Sequence, residues 1–410
     1  RVHSRGAYRG GGSGFDEEAR AFVARHFQRQ GLPVTLNDVM AFGGGAKGAF
    51  IAFTAAVMCR RDHDELEHRG GRLLAPQGYY QSLRLIPAIF GGTIDVVPEL
   101  TGAAVREWLY RTRNIAERAV YVPLVNNADG RVLDRVRAWG IARAVADHNQ
   151  RRPEQPVYVL ADDVYIGSYR PGTTDATPIA SLNGQVLGDS LGPATDWAVT
   201  VVTPSKTFAF PTARVAFAAC TNPRMRQALA HYRTVFSHSR VSAASELTAA
   251  AALCLTPQSW IDGWNTEYSA RIGELAERVA AINGRIGFEA VRVDKPDGGW
   301  YVPVKISRRL LPVASSVHAF AVLLHYGGTD RDSGIAMLPG ALFGIPDNGP
   351  HHTLRGTVAA PVPELHRFTD RLEELADRLT GPDAPDVIEH ALKRARSVAD
   401  VDDILAHCRY

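Results

Sequence analysis

Short apolar segments alternate with longer segments of helical periodicity from about residue 35 to about residue 255. Strands that are separated by helices in this way form a mostly parallel sheet with helices on both of its faces. The pattern therefore predicts a large α/β domain in this part of the chain. Ligands of such sheets bind at the carboxyl ends of the strands, where several of the apolar segments give way to glycine or polar residues.

Beyond this region the pattern predicts helices and a second, smaller domain. Residues 363–379 place leucine and phenylalanine at helical spacing, which is typical of a helix that packs on a core. Residues 288–293 and 300–306 have the composition of strands. The predicted organisation is an N-terminal arm and helix (1–34), a large α/β domain (35–258), a linking helix (259–283) and a small α+β C-terminal domain (284–410).

Residues 166–196 interrupt the alternation of strands and helices, because they are rich in glycine, proline, serine and threonine. Such a composition favours irregular backbone. Since the segment follows a strand end, we expect an insertion near the active-site face that contributes to the choice of substrate.

The composition is that of an ordinary globular protein and argues against several classes of function. Of the 410 residues, 45% are hydrophobic and 22% are charged, and the net charge is +3. No basic block indicates nucleic acid binding, and no apolar run approaches the roughly 20 residues that span a membrane. The four cysteines lack metal-binding spacing, which favours free thiols in a reducing, cytoplasmic setting. The chain begins at Arg1 rather than Met, so we expect native residues to precede it.

A lysine at a predicted strand end is the most informative single residue. The apolar strand at 197–202 is followed by polar and basic residues: Thr203, Ser205, Lys206 and, further on, Arg214. The chain contains only five lysines, so this one is less easily explained by solubility. A lysine amine can form a Schiff base with a carbonyl cofactor, and hydroxyls with an arginine can bind a phosphate. Taken alone, the run is equally compatible with a solvated surface lysine.

Three further predicted strand ends carry comparable residues. They are Asp162 and Tyr165 after the strand at 157–161, Asn127 after the strand at 119–125, and a glycine-rich turn (43–48) that opens an apolar helix. In this order of glycine turn, asparagine turn, Asp-x-x-Tyr and Ser-Lys, the chain resembles the fold-type I pyridoxal phosphate enzymes, in particular the class I/II aminotransferases. The resemblance extends from about residue 8 to about residue 379.

The resemblance implies a role for each of these residues toward pyridoxal 5′-phosphate. Lys206 would form an aldimine with the cofactor and then move the substrate proton. Asp162 would pair with the pyridine nitrogen, so that the ring accepts electrons from the substrate. Asn127 and Tyr165 would hydrogen-bond the phenolic oxygen. The phosphate would be held by the helix terminus and by the Ser-Lys segment: Gly45, Ala46, Lys47, Thr203, Ser205 and Arg214.

Other residues match aminotransferase positions outside these strand ends. Tyr79 matches the aromatic residue that stacks on the cofactor ring, and Tyr80 competes for that role. Arg355 follows turns of sequence PDGGWY and PGALFG and matches the arginine that grips the substrate carboxylate. Tyr8 resembles a tyrosine that reaches the neighbouring subunit's phosphate, so the resemblance also implies a homodimer with its active sites near the interface.

The chain departs from the family pattern in two of its turns. Asn127 is followed by Ala128 where proline is usual, and Thr212 stands where glycine usually precedes the phosphate arginine by two residues. These departures suggest a divergent member from specialised metabolism. They leave the substrate and the reaction open more than they affect the cofactor.

Several alternatives remain at the level of sequence. Transamination is the default reaction, and cyclisation, elimination or replacement with the same cofactor is the second possibility. A regulator built on a decayed aminotransferase fold is the third, although Lys206, Asp162 and Arg355 are all present. Each residue also has a purely structural interpretation: Asp162 as a strand-end cap, Asn127 as an Asx-turn, Tyr79 and Tyr165 as core aromatics, and Arg355 as a surface arginine.

Overall fold

The computed structural model describes residues 17–59, 70–173, 175–188, 191–236, 241–327 and 334–398. Two sheets organise these residues, one of seven strands and one of four. The strands of the large sheet are β1 (Val39–Gly43), β2 (Arg72–Pro76), β3 (Thr93–Val97), β4 (Arg118–Pro123), β5 (Tyr158–Asp162), β6 (Ala198–Val202) and β7 (Val215–Ala219). Those of the small sheet are β8 (Val291–Val293), β9 (Tyr301–Ser307), β10 (Leu338–Pro339) and β11 (His351–Thr357).

The large sheet is parallel apart from one strand, which confirms the predicted fold class. Its order is β1-β7-β6-β5-β4-β2-β3. Strand β7 runs antiparallel to both of its neighbours, and all other pairs are parallel. Because β1 and β6 are both antiparallel to β7, they run in the same direction as each other. The carboxyl ends of β1, β4, β5 and β6 therefore lie at one edge of the sheet.

Helices cover both faces of the large sheet. Every residue of β4, β5, β6 and β7 is buried, and successive side chains of a strand point to opposite faces, so both faces are covered. The helices of this part are α1 (Glu17–Arg29), α2 (Ala46–Met58), α3 (Ile86–Ile89), α4 (Gly102–Arg111), α5 (Arg135–Arg151), α6 (Gly184–Leu187), α7 (Pro223–Phe236) and α8 (Ala243–Leu255).

The start of α2 differs from the starts of neighbouring helices. Thr101 caps α4 and Asp134 caps α5, each by accepting a hydrogen bond from a backbone N–H in the first turn. Helix α2 begins after Gly45, which has no side chain to accept such a bond. The first N–H groups of α2 therefore remain available to another acceptor.

The small sheet and the remaining helices enclose a second core. The sheet has the order β10-β11-β9-β8 and is antiparallel throughout. The helices are α9 (Gln258–Ile286), α10 (Ser316–His325), α11 (Val362–Thr380) and α12 (Ala384–Val398). Leucines of α11, among them Leu372 and Leu375, pack in this core with Leu275 and Val279 of α9. The predicted helical stripe at 363–379 is thus a core-facing surface.

Two predicted strands are shorter than the sequence pattern suggested. The strand expected at 288–293 begins only at Val291, and at its start the backbone N–H groups of Ala290 and Val291 donate to the carboxamide oxygen of Asn283. The strand expected at 119–125 ends at Pro123, and Val125 instead forms an isolated bridge with Val132.

Three further expectations concern the segment at 166–196, the N-terminal arm and membrane-spanning helices. The segment at 166–196 contains only short helical turns among its described residues, in agreement with an irregular insertion. The predicted arm at 1–14, including Tyr8, lies outside the described residues. No helix within the described ranges is long and apolar enough to cross a membrane.

Candidate active site

Lys206 follows β6 and lies among three aromatic rings. Its Nζ is 5.6 Å from the ring centroid of Tyr165, 5.7 Å from that of Trp300 and 5.6 Å from that of Tyr301. Tyr165 comes from the segment after β5, whereas Trp300 and Tyr301 come from the start of β9 in the small sheet. The electron-rich faces of such rings stabilise an ammonium group, and their bulk limits the access of water to it. The structure thus places Lys206 between the two sheets.

Asp162 lies at the end of β5 and is almost fully buried. Its Oδ2 accepts a hydrogen bond from the Tyr121 hydroxyl at 2.5 Å, and its Oδ1 accepts one from the backbone N–H of Val164 at 3.3 Å. Burial raises the pKa of Asp162 to about 6, although Tyr121, Val164 and the positive charge of Lys206 oppose the rise. Asp162 is therefore a carboxylate at neutral pH, and it lies within electrostatic reach of Lys206.

Tyr165 completes the predicted Asp-x-x-Tyr motif on the same side. Its ring packs edge-to-face on Trp300, with centroids 5.1 Å apart. Burial, followed by the proximity of Tyr301, raises the pKa of Tyr165 well above its usual range. The hydroxyl is consequently protonated and available as a donor.

The glycine turn before α2, Arg214 and the segment just before Lys206 form a polar cradle. Gly45 has a φ of +71°, which favours glycine, and its backbone N–H donates to the carbonyl of Arg214 at 3.0 Å. A Cβ at Gly45 would lie 3.4 Å from the Arg214 guanidinium, so that guanidinium stands directly at the start of α2. The Thr203 and Ser205 hydroxyls lie 2.8 Å apart. The structure thus brings the Arg214 guanidinium to the uncapped start of α2, and Thr203 lies close by through its hydrogen bond to the Val215 carbonyl.

Ala46 and Lys47 form the first turn of α2, next to this cradle. Ala46 offers only its backbone N–H there. The Lys47 side chain is exposed to solvent. Its charge can add to the potential at the helix start, but the structure gives it no contact with the other site residues.

Arg355 and Asn127 meet, although they are far apart in sequence. A guanidinium N–H of Arg355, from β11, donates to Asn127 Oδ1. The guanidinium carbon lies 3.8 Å from the Tyr301 ring centroid and 4.6 Å from that of Phe343. Burial lowers the pKa of Arg355 below its ordinary value, though not enough to neutralise a guanidinium at physiological pH. A confined cation thus faces the segment after β4.

Tyr301 links the lysine to the arginine. Burial tends to raise the pKa of Tyr301, but the charges of Lys206 and Arg355 outweigh burial, and the pKa is lowered. A phenol in this position can bind a carboxylate or relay a proton.

The adjacent residues Tyr79 and Tyr80, which follow β2, lie in different surroundings. Tyr79 is buried and its ring edge packs closely over Gly344, where a Cβ would lie 2.6 Å from it. Tyr80 is half-buried, packs edge-to-face on Phe50 at 6.1 Å and interacts electrostatically with Arg355. The described contacts therefore favour Tyr80 over the predicted Tyr79 as the aromatic residue nearest to the site.

Sequence reasoning missed three residues of this site, Tyr121, Trp300 and Tyr301. Tyr121 is one apolar-looking member of a buried strand, and nothing in the local sequence indicates its bond to Asp162. Trp300 and Tyr301 lie inside the PDGGWY turn, which the sequence analysis connects only with the position of Arg355. Their position directly after a glycine pair, at the start of a strand, was the available signal.

Comparison with known proteins agrees with this geometry. A model of the family "Aminotransferase class I and II" matches residues 4–372. The chain belongs to the class I and II aminotransferases. It is therefore a transferase enzyme, and the family resemblance expected from the strand ends is confirmed. No curated protein matches the chain in sequence.

Solved aminotransferase structures share the fold at low sequence identity. The aspartate aminotransferase of Rhizobium meliloti has a TM-score of 0.70 and 19% identity, over 92% of this chain and 86% of that one. The aromatic aminotransferase of Pyrococcus horikoshii OT3 has a TM-score of 0.70 and 21% identity, over 93% and 91%. The Thermus thermophilus aspartate aminotransferase, solved with maleate, has a TM-score of 0.67 and 20% identity, over 92% of this chain and 86% of that one. At such identities the likeness defines the fold and leaves the substrate open.

Proposed function

We propose that this protein is a pyridoxal phosphate-dependent aminotransferase that acts on an amino acid through Lys206. The observation that carries the proposal is the convergence of a lysine amine, a buried carboxylate and the polar cradle at one edge of the large sheet. The lysine follows β6, the carboxylate ends β5 and the uncapped helix follows β1, and each group suits a different part of that cofactor.

The cradle fits the phosphate group. The start of α2 lacks a side-chain cap, and its free N–H groups with the helix dipole attract an anion. Arg214 stands at that start, and the hydroxyls of Thr203 and Ser205 lie 2.8 Å apart beside Val215, the residue that follows Arg214. In this structure the Thr203 hydroxyl donates to the Val215 carbonyl and the Arg214 guanidinium donates to the carbonyls of Gly44 and Pro211, so a phosphate would share or replace these acceptors.

The remaining groups fit the ring. Asp162 would hold the protonated pyridine nitrogen, since it is a buried carboxylate at neutral pH. Tyr165 and the NH₂ group of Asn127 would donate to the phenolic oxygen. Tyr80 is the better placed aromatic residue to cover the ring, in preference to Tyr79.

When bound, pyridoxal phosphate supplies the carbonyl carbon to which Lys206 and then the substrate amine attach, and a ring that takes up electrons. The chain itself supplies position and protons. Arg355 would hold the substrate carboxylate, and its contact with Tyr301 keeps the guanidinium in place. Lys206 Nζ would take the proton from the substrate Cα. The rings around Nζ would keep that transfer away from bulk water.

The proposal is tested by amino-group transfer. Purified protein with added cofactor is given single amino acids together with a 2-oxo acid, and products are identified by mass spectrometry. We expect a new amino acid to form from the 2-oxo acid. Consumption of an amino acid without any need for the 2-oxo acid would indicate cyclisation or elimination instead. Failure of every amino acid to alter the cofactor absorption would contradict an enzyme of this class.

Loss of Arg355 is expected to impair recognition of the substrate carboxylate. Arg355→Ala removes a paired charge from a partly desolvated site and should lower kcat/KM by about 2–4 kcal/mol. Cofactor binding should persist, because the phosphate depends on Arg214 and α2. The measurement compares the preferred amino acid with its decarboxylated amine in both proteins. An unchanged preference for the amino acid would exclude Arg355 as the carboxylate clamp.

We also propose a homodimer, as is typical of aminotransferases. An exposed apolar patch supports it and consists of four side chains: Leu85, Ile89, Val235 and Phe236, which are 54%, 63%, 61% and 41% exposed. The ring of Phe90 contacts Phe236 at 5.7 Å and joins the two segments of the patch. Apolar patches of this kind mark protein interfaces.

Light scattering is expected to give twice the mass of the chain for the wild-type protein. Ile89→Glu places a charge in the patch and should shift the protein toward the monomer. Val136→Glu is the matched control, because Val136 is 79% exposed on α5, outside the patch. A fully active wild-type monomer would contradict the proposal.

A further inference from the structure

Two buried carboxyl groups stand side by side at the end of β5, and they differ in their partners. Asp162 accepts hydrogen bonds from the Tyr121 hydroxyl and from the backbone N–H of Val164. Asp163 is equally buried, but its Oδ2 has no hydrogen-bond partner among the residues that the structure describes. Among the described residues, hydrogen-bond donors thus reach both oxygens of Asp162 but not Oδ2 of Asp163.

This asymmetry decides which carboxyl carries the negative charge. Neighbouring like charges disfavour each other, above all when both are buried. Burial, and then the charge of Asp162, raises the pKa of Asp163 well above its usual range, which favours the neutral acid at Asp163. Asp162 has its pKa at about 6, because Tyr121, Val164 and Lys206 oppose the effect of burial.

Other titratable groups around the pair do not alter this balance. Tyr165 faces Asp162, and Tyr169 faces Asp163. Burial raises the pKa of both phenols, so both are neutral. Tyr121 is likewise neutral, because burial and then Asp162 raise its pKa well above the usual range.

We infer that Tyr121 is a positioning residue, whose hydroxyl fixes the negative charge on Asp162 rather than on Asp163. The inference rests on the proposed function, in which Asp162 pairs with the ring nitrogen of pyridoxal phosphate. Tyr121 is suited to the task because it is fully buried in β4. Its ring packs edge-to-face on Phe50 with centroids 6.2 Å apart, which holds the hydroxyl in place.

The experiment measures two dissociation constants for each protein. One ligand is pyridoxal phosphate, and the other is its 1-deaza analogue, which has a C–H in place of the ring nitrogen. Tyr121→Phe keeps the ring and removes the hydroxyl. Tyr326→Phe is the matched control, because Tyr326 is also buried but its hydroxyl donates to the Arg371 carbonyl in the second core.

We expect Tyr121→Phe to weaken binding of pyridoxal phosphate about tenfold or more, the size of a lost hydrogen bond to a charged group. Binding of the 1-deaza analogue should not change, and Tyr326→Phe should bind both ligands as wild type does. Equal weakening of both ligands would show a merely structural role and overturn the inference. So would unchanged binding of pyridoxal phosphate.

A second variant keeps the inference testable if Tyr121→Phe does not fold. Asp163→Asn replaces a neutral acid by a neutral amide, so pyridoxal phosphate should bind as tightly as to wild type. Selective loss of that ligand, with the 1-deaza analogue unaffected, would place the charge on Asp163 and overturn the inference. If the wild-type protein binds neither ligand, the proposed function itself fails, which is a distinct result.

Discussion

Lys206→Ala is expected to lower kcat/KM by about 10⁴-fold or more, the upper end of what one acid–base residue contributes. The loss is large because the same Nζ both binds the cofactor carbonyl and moves the Cα proton in the proposed reaction. Phosphate contacts through Arg214 and the start of α2 should still retain the cofactor, although without a covalent bond. Steady-state kinetics and the absorption spectrum of the purified variant measure the two effects separately.

Lys295→Ala is the appropriate control, since Lys295 is exposed and lies outside the site. It should have wild-type kinetics and a wild-type spectrum. Turnover by Lys206→Ala that is comparable to wild type would mean that another group performs the proton transfer.

Asp162→Asn is expected to lower kcat by about 10²–10³-fold, the range found when one preorganised electrostatic partner is removed. The amide has nearly the shape of the carboxylate but cannot keep the pyridine nitrogen protonated. Some cofactor should remain bound, because the phosphate and phenolic oxygen keep their own partners. Single-turnover kinetics with the best amino acid measure the effect on the chemical step.

Asp163→Asn is the matched control, because it makes the same chemical change one residue further along the chain. Its activity should remain close to that of wild type, since the inference places the negative charge on Asp162 rather than on Asp163. Near-normal turnover by Asp162→Asn would refute the role of Asp162. A large loss in Asp163→Asn alone would mean that Asp163, and not Asp162, performs that role.

The strand ends could be predicted because burial on both faces makes a strand continuously apolar. β5 is apolar up to its last residue, Asp162, and β6 is apolar apart from Thr200 up to Thr203, which follows it. Parallel strands bring such endings to one edge, so the sequence could predict that Lys206 and Asp162 lie close together. The glycine turn before α2 could be predicted for the same reason.

The direction of β7 was not predicted, although a signal was present. An apolar strand reads the same in either direction, so composition cannot decide it. The connection from β6 to β7 spans residues 203–214 and contains only a three-residue helical turn, Pro211–Ala213. Two parallel neighbours are joined by a crossover of a dozen or more residues, which is usually a helix. Since the segment contains only a short turn in place of such a helix, it favours the antiparallel arrangement.

Contacts between distant segments could not be read from sequence. Tyr121 and Asp162 are 41 residues apart, and Arg355 and Asn127 are 228 apart. Each contact depends on strand register or on how the small sheet packs against the large one. The choice between Tyr79 and Tyr80 is of the same kind, because it depends on which ring packs over Gly344.

Reductive trapping of the cofactor tests the central proposal most directly. Purified protein incubated with pyridoxal phosphate is reduced with borohydride, digested, and mapped by mass spectrometry. We predict a single reduced pyridoxyl adduct on the peptide that contains Lys206, and none in Lys206→Ala. An adduct on Lys47, Lys295 or another lysine in place of Lys206, or no adduct at all, would contradict the assignment of this site.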